Sequence, residues 1–509
     1  MLTVQNLSIT NIADQRPLLK NCSFTLAGTE RLAVIGEEGD GKSALLMAIC
    51  DPESLEDWAE VSGRVSLSGE RIGYLPQEAP TNWGDLSVDR LCRKDKAFSA
   101  TNPAALSALC RRLQLDPELC QRETPFGLLS GGERVRLRLL LLLCREPTLL
   151  VLDEPGNDLD LDALETLERF LLACNLPVLY VSHDETLLSR TATQVLHLES
   201  IHGRVEPRWT WAKVSYADYV ANRRNALDRQ EDQWQQERRE KRARDERFRK
   251  IEDAVAHAQA NISRRDPHGG RLLKKKMKAV KSLEHRFARE DSEGTERPWE
   301  EFPMFAVFHD IQPIPAGKGV IDLNLPALEV DGRILARDVQ LRVRGPEKVL
   351  IIGPNGCGKT TLLREIERRL QNERSLRSAL MPQRYEELLD NEKTPVELLH
   401  TDGTKEQLTY IRTALGAMKL TQDEIQHPIR GLSGGQKAKV LLLRLMLAKP
   451  DVLLADEPTR NLSPLSAPVM RELLTTFPGA VICVTHDRVL MEDWPGRVLR
   501  LTENGLVRV

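Results

Sequence analysis

Nine cysteines are scattered through 509 residues with no Cys-x-x-Cys pair and no histidine at ligand spacing beside them. That pattern excludes a disulfide framework and a zinc module, and it predicts reduced thiols. No apolar stretch approaches the ~18 residues of a membrane span. The longest run, Leu137 to Leu143, is interrupted by Arg138. Met1-Leu2-Thr3-Val4-Gln5-Asn6 has neither a basic n-region nor an apolar h-region, so no secretory signal is expected and the predicted location is cytoplasmic. A net charge of -3 gives no global basic signature for nucleic acid. Any such surface has to come from an uneven distribution of charge. Hydrophobic content of 41% is enough for real cores. The length predicts more than one domain at about 100–200 residues each.

The stretch Gly353-Pro354-Asn355-Gly356-Cys357-Gly358-Lys359-Thr360 fits G-x-x-x-x-G-K-[ST]. It follows Lys348-Val349-Leu350-Ile351-Ile352, which reads as a buried strand, and Thr361-Leu362-Leu363-Arg364 then opens a helix. In that setting Gly353, Gly356, Gly358 and Asn355 let backbone N–H groups converge on phosphate oxygens. Lys359 reaches the β/γ-phosphates, Thr360 offers its hydroxyl to Mg²⁺, and the helix N-terminus adds positive potential.

The motif occurs twice. Gly36-Glu37-Glu38-Gly39-Asp40-Gly41-Lys42-Ser43 also follows a strand-like run, Leu32 to Ile35. Leu75-Pro76-Gln77 is echoed by Met381-Pro382-Gln383, and Leu129-Ser130-Gly131-Gly132-Glu133 by Leu432-Ser433-Gly434-Gly435-Gln436. Asp153-Glu154-Pro155 and Asp456-Glu457-Pro458 each end an apolar run, and Ser182-His183-Asp184 answers Thr485-His486-Asp487. Ser130 to Asp153 and Ser433 to Asp456 are both 23 positions, and Glu154 to His183 and Glu457 to His486 are both 29. Ordered motifs at equal spacing mark two copies of one α/β P-loop domain, expected at 1–206 and 319–509.

The whole set resembles the ABC ATPase family, which the Leu-Ser-Gly-Gly signature separates from other P-loop ATPases. The resemblance implies ATP and Mg²⁺ as cofactors. It implies phosphate binding by Lys42 and Lys359, and a metal held by Ser43 and Thr360 with Asp153 and Asp456. Gln77 and Gln383 would sense the metal and the attacking water. Glu154 and Glu457 would polarise that water, and His183 and His486 would contact the γ-phosphate. In this family the domains pair head to tail. Ser433, with Gly434 and Gly435, would then cap the first nucleotide, and Ser130, with Gly131 and Gly132, the second. Independently of the family, phosphoryl transfer needs positioning and charge neutralisation more than covalent chemistry. An Asp closing a buried strand followed by a second carboxylate suits both tasks.

Between the copies, at 207–318, the composition changes. From Tyr216 to Asp266 there is no Pro or Gly, and Arg, Glu, Gln and Ala dominate. That favours a long exposed helix, with Tyr216 to His257 spanning ~60 Å at 1.5 Å per residue. Asp266-Pro267-His268-Gly269-Gly270 breaks it, and a second helix is expected from Arg271 to about Glu290. The result is an antiparallel helical linker with its tip near 259–272. Residues 271–281 carry Arg271, Lys274, Lys275, Lys276, Lys278 and Lys281 with no acid among them. A basic tip suits phosphate-backbone contact, and with Arg264, Arg265 and His268 it forms the candidate RNA-binding surface.

Twin ABC domains, no membrane segment and a charged linker resemble the ABC-F family. That resemblance implies a cytosolic protein on the ribosome, at the tRNA exit site, whose linker reaches large-subunit rRNA near the peptidyl-transferase centre and P-site tRNA. It also implies a monomer whose two domains pair within one chain. Only 53 positions separate Gln77 from Ser130 and 50 separate Gln383 from Ser433, which leaves no room for an inserted arm. The compact form favours the antibiotic-resistance branch over a housekeeping translation factor. A transporter ATPase subunit would leave the basic linker without a role. A DNA-acting ATPase would be expected to carry zinc modules or far longer coiled coils. Glu37, Glu38 and Asp40 in the first loop predict weaker ATP binding there than at the second site. Ile12 and Ile334 lie where a base-stacking aromatic would be sought, so weak base selectivity is expected.

Overall fold

The computed structural model describes residues 1–157, 159–201, 206–260, 313–330, 332–373, 375–418, 420–432, 434–460 and 462–509, with Lys278, Ser282, Arg286 and Phe287. It contains two compact units. One runs to Ala217 and also holds the C-terminal half of the chain; the other begins at Asp218.

Each half of the first unit is built on a six-stranded sheet. In the first half the strands lie in the order Ile72–Leu75, Leu149–Asp153, Val178–Val181, Arg31–Ile35, Gln194–Ile201, Glu206–Ala212. In the second half the order is Ser378–Met381, Val452–Asp456, Ala480–Val484, Lys348–Ile352, Arg497–Thr502, Gly505–Arg508. All neighbours pair in parallel except the last strand of each sheet. The central strands read as unbroken apolar runs because both faces are covered. Leu149–Asp153, Val178–Val181, Val452–Asp456 and Ala480–Val484 are buried throughout. Burying one Val or Leu side chain contributes about 1.5–3 kcal/mol, so these strands are the rigid centre of each half.

The strand order decides where chemistry can happen. Gln77, Asp153, His183 and the Gly36–Ser43 loop all leave the carboxyl ends of four adjacent strands. Their counterparts Gln383, Asp456, His486 and Gly353–Thr360 do the same in the second sheet. Ligands of open α/β sheets bind at this edge.

The copies differ at their antiparallel flank. The first half has a three-stranded sheet, Pro17–Leu26, Leu2–Asn11 and Ala59–Ser66, and among the described residues the second has the pair Gly319–Val330 and Arg333–Arg344. The first sheet runs on past residue 206. Glu206–Ala212 pairs antiparallel with Gln194–Ile201 and closes the first sheet. It is an edge strand, so Pro207 is tolerated there. All nine cysteines are free thiols.

The second unit contains the helix Tyr216–Ala260, 45 residues long. At 1.5 Å per residue it spans about 68 Å. Its surface carries exposed pairs such as Lys250–Glu246 at 3.2 Å and the stacking of Arg238 on Trp234 at 4.9 Å. Phe287 of the returning segment meets Phe248 edge-on at 5.7 Å, with Arg244 over the same ring at 4.4 Å. Lys278 is exposed and helical. Arg264, Arg265, His268, Arg271, Lys274, Lys275 and Lys276 lie outside the described residues, as does most of the return connection. Among the described residues, no helix is long and apolar enough to cross a membrane.

Candidate functional site

Both glycine loops wrap a lysine in the same way. Lys42 Nζ donates to the carbonyls of Gly36 at 2.9 Å and Glu37 at 2.8 Å. Lys359 Nζ donates to those of Gly353 at 2.8 Å and Pro354 at 2.9 Å. The first glycine of each loop is required by space as well as backbone. Gly36 at φ 149 and Gly353 at φ 155 would drive a Cβ into the carbonyls of Leu198 and Leu501. Helices Lys42–Cys50 and Lys359–Gln371 start directly behind the loops, so their unpaired N–H groups face the same space.

Asp153 and Asp456 end their strands buried, each with one carboxylate oxygen, Oδ1, that has no hydrogen-bond partner among the described residues. Burial pushes both carboxyls up, Asp153 to about 6 with Glu154 adding repulsion, against hydrogen bonds from Ser43 and Thr360 that pull down. An orphaned buried oxygen beside a hydroxyl is a donor set for a hard divalent cation. Among the described residues no group of three or more His, Cys, Asp or Glu could hold a metal by itself. Phosphate oxygens and water would have to complete the shell.

The next residue turns away from the strand. Glu154 at φ 47 and Glu457 at φ 50 both adopt the left-handed backbone that non-glycine residues avoid. The same rare geometry in both copies points the second carboxylate off the strand axis. Nothing in the residue types signals it.

The two glutamates then diverge. Glu154 accepts from Gln77 Nε2 at 3.2 Å, from Asn157 Nδ2 and from His183 Nε2 at 3.2 Å. His183 Nδ1 lies 2.9 Å from the Leu462 carbonyl of the other half. The ring is thereby fixed between a carbonyl on one side and a carboxylate on the other. Burial would raise the Glu154 carboxyl, but His183 and Lys42 outweigh it and hold it down at about 2. Glu457 has a looser setting. It accepts the backbone N–H of His486 at 3.1 Å, while His486 Nε2 stands 3.6 Å away. Burial lifts Glu457 to about 7 and drops His486 to about 4.

A cavity of about 950 Å³ opens between the halves. Asn355, Gly356, Gly358, Lys359, Thr360, Gln383, Asp456, Glu457 and His486 line one side, and Gly131 and Arg134 face them from the first half. Its volume suits a nucleotide-sized ligand. Ser130 caps the helix Gly131–Leu143 through a reciprocal box with Glu133, at 3.2 Å and 3.0 Å. Gly132 packs against Ala163, leaving no space there for a side chain. Ser433 lies outside the described residues. At the opposite junction Glu37 and Glu38 reach Gly434 and Gly435. Arg138, which interrupts the longest apolar run, holds the Gln77 loop by donating to the carbonyls of Pro76 and Glu78.

The ABC transporter family model matches residues 19–157 and 336–460, just over half of the chain. The chain belongs to the ABC transporter family. Among the relatives it resembles are members of the ABC transporter F family. It is 28% identical over 386 residues to ABC transporter F family member 2 of Arabidopsis thaliana, covering 74% of this chain and about half, 53%, of that protein. It is 28% identical over 557 residues to the tylosin resistance ATP-binding protein TlrC of Streptomyces fradiae, across 97% of this chain and 96% of that one. It is 27% identical over 515 residues to the ribosome protection protein VmlR of Bacillus subtilis (strain 168), across 99% and 87%. This chain is therefore a nucleotide-binding, ATP-hydrolysing ABC-type ATPase. Asn157, Arg138 and the Leu462 carbonyl escaped the motif reading because they act through contacts that only the folded halves create.

Proposed function

We propose that this ABC-F ATPase binds the ribosome in its ATP-bound state and protects the large subunit from antibiotics. One observation carries the reading: a nucleotide-sized cavity whose walls come from both halves, so that ATP joins them when it binds. Lys359 and the 353–358 backbone would hold the phosphates. Thr360 and Asp456 would hold Mg²⁺, which would supply charge neutralisation for the phosphates. Gln383 and His486 would frame the attacking water and the γ-phosphate, with Glu457 orienting the water. Gly131 and Ser130 would close over the triphosphate from the other half. Ser43, Asp153, Gln77, Glu154 and His183 repeat the set in the first half.

Closure gives the linker its role. Its long charged helix and the acid-free stretch 271–281 suit rRNA and tRNA backbones, near the tRNA exit site and toward the peptidyl-transferase centre. Hydrolysis then releases the protein. The resistance role of TlrC and the ribosome-protection role of VmlR support resistance over housekeeping, and so does the lack of room for an inserted arm. In a susceptible host, expression should raise the inhibitory concentration of at least one drug that binds the large subunit. Glu457→Gln should abolish that protection. If no drug in a panel responds and deletion slows translation instead, the protein is a housekeeping factor.

A further inference from the structure

The two junctions between P-loop and opposite signature helix are filled differently. The second opens on the cavity already described. At the first, the chain supplies its own anions. Helix Gly434–Ala448 begins at Gly434 and Gly435, where backbone N–H groups have no intrahelical acceptor. Glu38 Oε2 occupies the space a Cβ on Gly434 would need, and Glu37 Oε2 lies 2.7 Å from the same point on Gly435. Glu37 Oε1 also accepts from Ser463 Oγ at 3.3 Å and from Ser466 Oγ. Both serines are buried, at 1% and 0% exposure, and Glu37 beside them is half-buried, while Glu38 stays exposed at the rim.

Asp40 sets the carboxylates in place. It is buried, and its Oδ2 accepts the Glu37 N–H at 2.8 Å. That bond shapes the loop so that both glutamates project toward the second half. In the second loop the matching positions are Pro354, Asn355 and Cys357, so no carboxylate can do this there.

We propose that Glu37 and Glu38 are a built-in anion that seats on the second signature helix where a nucleotide's terminal phosphate would otherwise lie. The first junction closes by carboxylate, a triphosphate is excluded by like charge, and ATP turnover runs through the second junction alone. The inference rests on the nucleotide-site assignment of the two P-loops. It does not depend on the ribosome or on drugs.

The test is calorimetric titration of the full chain with Mg-ATP in the Glu457→Gln background, which slows turnover. One ATP per chain is expected, and none after Lys359→Ala. Giving the first loop the residues of the second, with Glu37→Pro, Glu38→Asn and Asp40→Cys, should add a second ATP bound at least tenfold more tightly than any second binding in the parent. Two ATP per chain in the parent, with affinities within threefold of each other, overturns the proposal. So does a single ATP that survives Lys359→Ala. Both of those results come from chains that keep the native first loop, so they do not depend on whether the triply substituted chain folds.

Discussion

Glu154 and Glu457 occupy one position of a repeated motif, yet their surroundings assign them different work. Both line the shared cavity, but Gln77, Asn157 and His183 hold the Glu154 carboxylate, whereas among the described residues Glu457 accepts only the His486 backbone N–H at 3.1 Å. Glu457→Gln should therefore lower kcat for ATP by about 100-fold or more, the usual range for a proton-handling group. Glu154→Gln should change it by no more than about threefold. Steady-state phosphate release measures both. The motif shows that each glutamate exists; it cannot show which is tied down, because the ties come from distant loops and, through His183, from Leu462 of the other half.

A second residue yields a pH prediction. Burial outweighs the attraction of Arg471 and raises Glu185 from its ordinary 4.5 to about 7. Between those values the folded chain keeps a proton that the unfolded chain releases. The contribution of Glu185 to stability therefore falls as pH rises through that window. Glu185→Gln removes the titration, so its Tm relative to the native chain should rise between pH 5 and pH 8. A pH-independent difference would contradict the assignment.

Among the elements, the helices behind the two histidine loops form a cross-half clasp. Arg488 meets Glu168 at 2.7 Å and Asp184 at 2.9 Å, and Arg471 bridges Glu185 at 2.9 Å and Asp487 at 2.7 Å. The pairs are largely buried, so removing Arg488 leaves uncompensated charge on Glu168 and Asp184. Arg488→Ala should cost about 3–5 kcal/mol in chemical denaturation, as breaking a buried pair does. A surface bridge such as Arg430–Glu392 contributes little, and Arg430→Ala should change stability by less than about 1 kcal/mol. The strands, glycine loops and linker helix follow from the sequence because apolar runs, glycine spacing and the absence of helix breakers are local signals. The clasp does not follow, since its partners lie some 300 positions apart, Arg488 being 320 from Glu168. The Glu206–Ala212 strand lies past the expected boundary at 206, although its alternating Trp209 and Trp211 carry the period of a half-buried strand.

For the molecule as a whole, two halves share one nucleotide-sized cavity, and the proposed function makes them a clamp that carries the linker. Duplication made the fold readable, because every motif appears twice at matched spacing. The inequality of the copies arose from Glu37, Glu38 and Asp40, whose acidity is visible in the chain but whose seat on the opposite helix is not.

The most direct test is cosedimentation of the Glu154→Gln, Glu457→Gln double variant with purified ribosomes, with and without Mg-ATP. Stable, ATP-dependent binding to the large subunit is the expected result. Failure of the double variant to pellet with ribosomes in ATP, or pelleting that is equal without nucleotide, would contradict an ATP-gated ribosome clamp.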